Sequence, residues 1–328
     1  MAVLVAGGAG YIGAHMVLAL ADAGEDVVII DNLTTGFEWA LDGRATFIKG
    51  NANDIDLVTK IIKQHEIVEI IHFAGSIIVP ESVVDPLKYY SNNTATTRNL
   101  IEAAVQGGVK HFVFSSTAAV YGMVGVEPVS EDTPLNPASP YGRSKLMSEI
   151  MLADVAAAHP ITFGALRYFN VAGADAKGRA GQSTKNTTHL IKVALQVALG
   201  QRTHIDVYGT NYDTPDGTCL RDYIHISDLI NAHVLMLKHL RKGEKSTIMN
   251  CGYGQGYSVN EVINVAKNVS GVDFDVHYVD KRAGDPAAVV ANSQKLKTTL
   301  NWQPKHDNLE QIISSAYAWE KYLMLRNR

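Results

Sequence analysis

The strongest constraint on the fold lies in the first 24 residues, where an apolar run, AVLVA, gives way to glycines spaced GxxGxxG (Gly7, Gly10, Gly13) and then to a helix-length stretch stopped by Gly24. A strand, a turn without Cβ atoms and a helix that begins at once let backbone amides and the positive end of a helix dipole approach a pyrophosphate. Glycine-rich turns also arise from packing alone, so the next strand decides the reading. That strand, DVVII, ends on Asp31, close to the roughly 20-residue offset at which a carboxylate meets adenosine ribose hydroxyls. A 2′-phosphate would face this carboxylate with no basic residue among Asn32, Leu33, Thr34 and Thr35, which points to NAD rather than NADP. The plain alternative is that Asp31 only caps a turn.

The same rhythm continues through TFIK, VEIIHFA, HFVFSS and TFGALRYF, at least six strands before Asn170, alternating with helical patterns. This predicts an α/β fold built on a Rossmann-type doubly wound parallel sheet. Beyond Asn170 the rhythm breaks in turn-rich stretches, Gly173–Asn186 and Gly209–Gly217. IHISDLINAHVLMLKHL and STIMNCG then read as a helix and strand returning to the first sheet, and SVNEVINVAKNVSG and LEQIISSAYAWEKYLML as amphipathic helices. The predicted division is residues 1–170 as nucleotide-binding domain, with 220–250 returning to it, and 171–219 plus 251–328 as a smaller mixed α/β substrate domain.

A net charge of −4 with scattered Lys and Arg leaves no footprint for nucleic acid or an anionic membrane, so a small molecule is the expected partner. Cys219 and Cys251 stand far apart, without disulfide-framework or zinc spacing; no metal is expected, and a reducing cytoplasm is. The apolar start lacks a positive leader and is broken by glycines, and no later stretch is long and apolar enough to span a membrane.

A second constellation carries chemistry. SSTAAVYG follows the fifth strand and SPYGRSKLMSE comes some twenty residues later, so Thr117, Tyr141 and Lys145 can meet at the carboxyl end of the sheet, where such folds bind ligands. Ser139 suits an N-cap and Pro140 the first helical position, which puts Tyr141 in the first turn with Lys145 on the same face. A phenol with a pKa of about 10 is a poor base, but an ammonium and a helix N-terminus both stabilise its phenolate. Tyr141 could then take a proton from an alcohol while hydride leaves the adjacent carbon.

With GGAGYIG, DNL, FAG, ESV, NNT, SSTAAVYG, SPYGRSKLMSE, LRYFNVAGA, DGTCLRDYIH and RAGDP in this order, the chain resembles the extended short-chain dehydrogenase/reductase family nearly end to end. Within it the chain is similar to the UDP-hexose 4-epimerases. The resemblance implies bound NAD, contacted by Gly7, Gly10, Tyr11, Ile12, Gly13, Asp31, Asn32, Asn51, Ala52, Phe73, Ala74, Gly75, Asn93, Ser115, Tyr141, Lys145 and Tyr168. It implies a UDP-sugar substrate held by Thr117, Tyr141, Phe169, Asn170, His189, Leu190, Tyr208, Arg221, Tyr223, Arg282, Asp285 and Val289. Arginine forks suit a pyrophosphate, and a carboxylate suits ribose hydroxyls. The implied activity interconverts UDP-glucose and UDP-galactose by oxidation at C4, rotation of the 4-keto sugar and reduction on the other face. A homodimer through the helices near Thr94–Gln106 and Pro140–Ala158 is also implied.

The chain departs from the family pattern at Asn51, where an Asp is common, near Ile77, where a Lys is frequent, and at His189, where an Asn is usual. Val289 is small where the family often carries Tyr or Cys, which implies some activity on UDP-N-acetylhexosamines. Rival readings are an epimerase of UDP-uronic acids or pentoses, a nucleotide-sugar 4,6-dehydratase, and an NAD-binding regulator without catalysis. Ala118 and Ala119 stand where the dehydratase carries acidic residues, and a regulator would have no need of Tyr141 with Lys145.

Overall fold

A computed structural model describes residues 2–185, 187–282 and 284–326. Strands β1 (Val3–Ala6), β2 (Val27–Asp31), β3 (Thr46–Lys49), β4 (Glu69–His72), β5 (His111–Thr117) and β6 (Thr162–Tyr168) lie in one parallel sheet. β7 (Asn170–Ala172), β8 (His204–Tyr208) and β9 (Leu220–His225) leave it, and β10 (Thr247–Cys251) returns to pair with β6. The order is β10-β6-β5-β4-β1-β2-β3, all parallel, so the winding reverses beside β1 and opens a crevice at the carboxyl edge. The Rossmann-type sheet expected from the strand rhythm is the one observed.

The pleat explains why these strands read as continuous apolar runs. Val3 and Val5 face one core, with Ile71, Val113 and Leu166, while Leu4 and Ala6 face another, with Ile70, Phe112 and Phe114. Helix α1 (Tyr11–Asp22) covers the first face. On the second lie α2 (Ile55–Gln64) and, beyond the short α3 (Val79–Val84) and α4 (Pro86–Tyr89), α5 (Thr96–Gly107) and α6 (Pro140–Ala158). The helix expected from Thr94 begins earlier as a π-turn over residues 90–95 and becomes regular only at Thr96. Such turns recur at functional sites, and this one carries Asn93.

After α7 (Leu190–Ala198), helix α8 (Ile226–Arg241) packs on the first face beside α1. Of residues 220–250, therefore, those from Ile226 onward join the large sheet, whereas β9 stays outside it. β9 is the centre of a small sheet: β11 (Gly256–Ser258) pairs with it antiparallel, β7 and β13 (Ala288–Val289) parallel. β12 (Asp275–Val279) pairs parallel with β8. A third core of α7, α9 (Val259–Ser270) and α11 (Leu309–Arg326) supports these strands, while α10 (Gln294–Leu300) packs on α8. Among the described residues no helix is long and apolar enough to cross a membrane.

Candidate active site

The three glycines of the first turn do different work. Gly7 has φ +83°, and a Cβ there would lie 2.5 Å from Ala74 N; a Cβ on Gly13 would lie 2.0 Å from Gly7 O. These two close the helix and the FAG segment onto the turn. Gly10 would meet nothing nearer than Gly7 O at 3.4 Å, and as N-cap of α1 it has no capping side chain, so the first amides of α1 face the crevice unpartnered by side chains.

Asp31 accepts from Ala9 N (3.0 Å) and Leu33 N (2.8 Å), with Leu33 at φ +60°. It therefore caps the turn, and each oxygen keeps acceptor capacity for a ribose hydroxyl. The Asn32 side chain accepts from Thr34 N at 3.0 Å, and Asn51 accepts from Asn53 N at 3.0 Å beside buried Ala52. Phe73 N and Ala74 N donate to Ala6 O, holding FAG against the end of β1. The Tyr11 hydroxyl donates to Gly173 O (2.7 Å), linking the glycine turn to the chain beyond β7, and Ile12 packs toward the first core.

Asn93 is buried, and both hydrogens of its amide are bonded to protein. Its oxygen accepts from Ser76 N (2.7 Å), and its amide donates to Ser76 O (3.1 Å) and Ser144 Oγ (3.0 Å). Gly75 must lack a Cβ here, because one would lie 2.8 Å from Asn93 Oδ1. Asn93 thus fastens the Gly75–Ser76 loop to α6 and shapes the crevice wall from behind.

At the end of β5, Thr117 Oγ1 accepts from Ala119 N (3.2 Å), which leaves its O–H free to donate. α6 begins as the sequence predicts: Ser139 Oγ accepts from Gly142 N (3.2 Å) and Pro140 is the first helical residue. A Cβ on Gly142 would lie 2.5 Å from Ala119 O, so this glycine lets the helix press against the turn after Thr117. Burial pushes the Tyr141 phenol up and its Thr117 neighbour draws it back down through hydrogen bonding. Lys145 Nζ donates to Ser115 O (2.9 Å) and lies 4.9 Å from the Phe114 ring centroid. Burial lowers its pKa to about 8, against the opposing charge of Glu149. The Ser115 hydroxyl bonds the Tyr168 hydroxyl, so β5 and β6 are laced together beneath the site.

Sequence reasoning missed what lies under Lys145. Glu149, on the next turn of α6, takes hydrogen bonds from Ser116 Oγ and from Arg167 Nε (3.0 Å) and Nη2 (2.7 Å). Arg167 also donates to the Tyr121 hydroxyl (3.1 Å), which donates to Asn250 Oδ1 (2.6 Å). Tyr141, Lys145 and Glu149 recur every four residues, and that stripe was the available signal.

On the small sheet, Arg221 lies in register with Val289, and Asn170 with Tyr223. Val289 and Phe169 pack with Val120, Tyr121 and Val129 just beyond Thr117, so this sheet borders the catalytic turn. The Arg282 guanidinium stacks 3.5 Å from the Tyr208 ring centroid, and Asp285 follows it in the same loop. His189 is the N-cap residue of α7, ahead of Leu190, with Nδ1 2.7 Å from Gln182 Nε2. Of the sequence-selected residues, the glycine turn with Asp31, Asn32 and Asn51 and the set Thr117, Tyr141, Lys145 and Tyr168 border the carboxyl edge of the large sheet, and Phe169 and Val289 reach the turn after Thr117, whereas Tyr208 lies on the β8–β12 ribbon, Arg282 and Asp285 in the loop after β12, and His189 and Leu190 at the start of α7, without a hydrogen bond to the central set among the described residues.

The donor set fits NAD. The open amides that follow Gly10 in the first turn of α1, the Asp31 carboxylate and the glycine-lined approach would hold its pyrophosphate and adenosine ribose, and Lys145 stands by the turn next to Gly75. The family described as NAD dependent epimerase/dehydratase matches residues 3–252. The UDP-glucose 4-epimerase of Azospirillum brasilense is 51% identical, over 98% of this chain and 92% of its own. The UDP-glucose 4-epimerase of Brucella ovis, solved in complex with NAD, has a TM-score of 0.93 at 40% identity, covering 96% of this chain and 97% of that one. The UDP-Glc/GlcNAc 4-epimerase of Campylobacter jejuni has a TM-score of 0.85 at 45% identity, covering 98% and 99%. The chain belongs to the NAD dependent epimerase/dehydratase family, where it stands among the UDP-glucose 4-epimerases.

Proposed function

We propose that the protein interconverts UDP-glucose and UDP-galactose by inverting the hexose at C4. The observation that carries this is the grouping of Tyr141, Thr117 and Lys145 at the end of β5, on the crevice edge that the glycine turn also borders. Bound NAD⁺ would accept the C4 hydride and return it. Tyr141 removes the proton from the 4-hydroxyl, Thr117 donates a hydrogen bond to that oxygen, and the Lys145 charge holds the phenolate. Arg221, Arg282 and Asp285 grip the nucleotide while the apolar Phe169 and Val289 leave the 4-keto hexose free to turn. Tyr141 then returns the proton to the new alkoxide.

Ala118 and Ala119 give no acid to expel a C6 hydroxyl, which supports epimerisation over dehydration. In this reading residues 1–170 with 226–251 hold the cofactor and the remaining chain holds UDP. Free thiols at Cys219 and Cys251 suit a reducing cytoplasm. For the expected homodimer, α6 offers exposed Met147 and Ile150, whereas Leu100 and Ile101 of α5 are buried in the second core, so the apolar face beside α6 is completed instead by exposed Val83, Val84 and Leu87 of α3 and α4.

Purified protein given UDP-galactose without added NAD should yield UDP-glucose by NMR, with NAD recovered on denaturation. No product and no bound cofactor would overturn the proposal. Val289, a small side chain packed in the cluster that also holds Phe169 and Tyr121, also supports turnover of UDP-N-acetylhexosamines, as the name of the Campylobacter relative suggests for that enzyme. Val289→Tyr should lower kcat/KM on UDP-N-acetylglucosamine about tenfold or more and leave UDP-galactose little changed. Equal rates for variant and parent on the N-acetylated substrate would refute this.

A further inference from the structure

We propose that the outer face of the β8–β12 ribbon is a binding site for one divalent transition-metal ion of the zinc class, with His204, Asp206 and His277 as ligands. Alternation sets the three side chains on one side. Ile205, Val207 and Val276 pack into the third core, so His204 and Asp206 on β8 and His277 on β12 point the other way. In the parallel register His277 pairs with Asp206 and Asp275 with His204, which adds a second carboxylate to the same face.

The geometry is close to what a metal needs. The donor atoms of His204, Asp206 and His277 lie within 4.8 Å of one another, and His204 Nε2 is 3.5 Å from Asp206 Oδ1. Ligand bonds of 2.0–2.1 Å in a tetrahedron place donors roughly 3.4 Å apart, so that pair already has the required separation. The two imidazoles are stacked with centroids 4.0 Å apart and planes 20° from parallel, so one ring has to turn about its Cβ–Cγ bond for both in-plane lone pairs to converge on one ion. His204 Nδ1 lies 2.9 Å from Thr203 Oγ1, an outer partner that fixes the ring and leaves Nε2 for the ion. Two imidazoles and a carboxylate suit Zn²⁺, Ni²⁺ or Co²⁺ over Mg²⁺ or Ca²⁺, with water completing the shell. Spacing along the chain gave no metal signal because the ligands come from strands far apart in sequence. The ion would clip together the strands that lead into Tyr208 and the Arg282 loop.

The test uses tag-free, full-length protein with its cofactor, freed of metal by chelator, and titrates Zn²⁺ calorimetrically. The expected results are 1:1 binding and a Tm raised by about 3 °C at a hundredfold excess over Kd. His204→Ala/His277→Ala should abolish both, and Thr203→Val should weaken binding roughly tenfold. Slower amide exchange over residues 204–208 and 275–279 should accompany the metal. Unchanged 1:1 binding in the double variant, or no binding by the parent protein, would overturn the proposal. None of these readouts depends on turnover.

Discussion

Tyr141→Phe should lower kcat by about a thousandfold or more, the range that a lost general acid–base group commands, while the protein still holds NAD and unfolds at the parent temperature. The ring packs edge-on against Tyr89 with centroids 6.3 Å apart, a contact that phenylalanine keeps. Only the hydroxyl goes, and no other described group beside Thr117 is poised to take a proton: Lys145 is tied to Ser115 O, and burial together with the Lys145 charge drives His72 down to about 3, with its Nε2 on Thr97. Lys145 titrates near 8 because burial penalises its charge, so at neutral pH most of it carries the charge that the proposed mechanism sets against the phenolate. Turnover by NMR, cofactor content after denaturation and a thermal scan check the three parts separately. A variant within tenfold of the parent kcat would show that Tyr141 is not the proton carrier.

Much of this centre was legible in the chain because its signals are local. The glycine turn, the strand ending on Asp31 and the Ser139–Pro140 helix start each lie within a few residues, and their geometry follows from backbone sterics and capping. What stayed hidden depends on distant partners. β13 is two residues long and owes its existence to β9, far away in sequence, so no period in AAVVAN announces it. Asn93 stands out only through the family resemblance, as a cofactor contact, and its bonds to Ser76 and Ser144 depend on the π-turn that carries it. Asp31 shows the limit differently: the turn-capping reading and the ribose reading assign different oxygen lone pairs and are compatible, which the sequence alone could not separate.

Glu149 and Arg167 illustrate the same limit with larger consequences. Charged residues are mostly solvated, yet these two are 3% and 4% exposed and form a bidentate pair at the middle of α6. Glu149→Ala should destabilise the protein by about 3–5 kcal/mol, because Arg167 would keep its buried charge with only the Tyr121 hydroxyl as partner and Ser116 would lose its acceptor. Glu149→Leu combined with Arg167→Met should recover much of that loss, since it removes both charges and retains volume. Urea unfolding at fixed NAD and protein concentration reads the difference as a lower midpoint at unchanged slope. A single variant within about 1 kcal/mol of the parent would mean that water or another side chain satisfies Arg167. The stable double variant carries the functional half of the argument. Glu149 holds the Lys145 pKa up against burial, so without that carboxylate Lys145 sheds its proton at lower pH and the phenolate of Tyr141 loses support. Its kcat should therefore begin to fall at a lower pH on the alkaline side than that of the parent, a shift that a purely structural role for Glu149 would not produce.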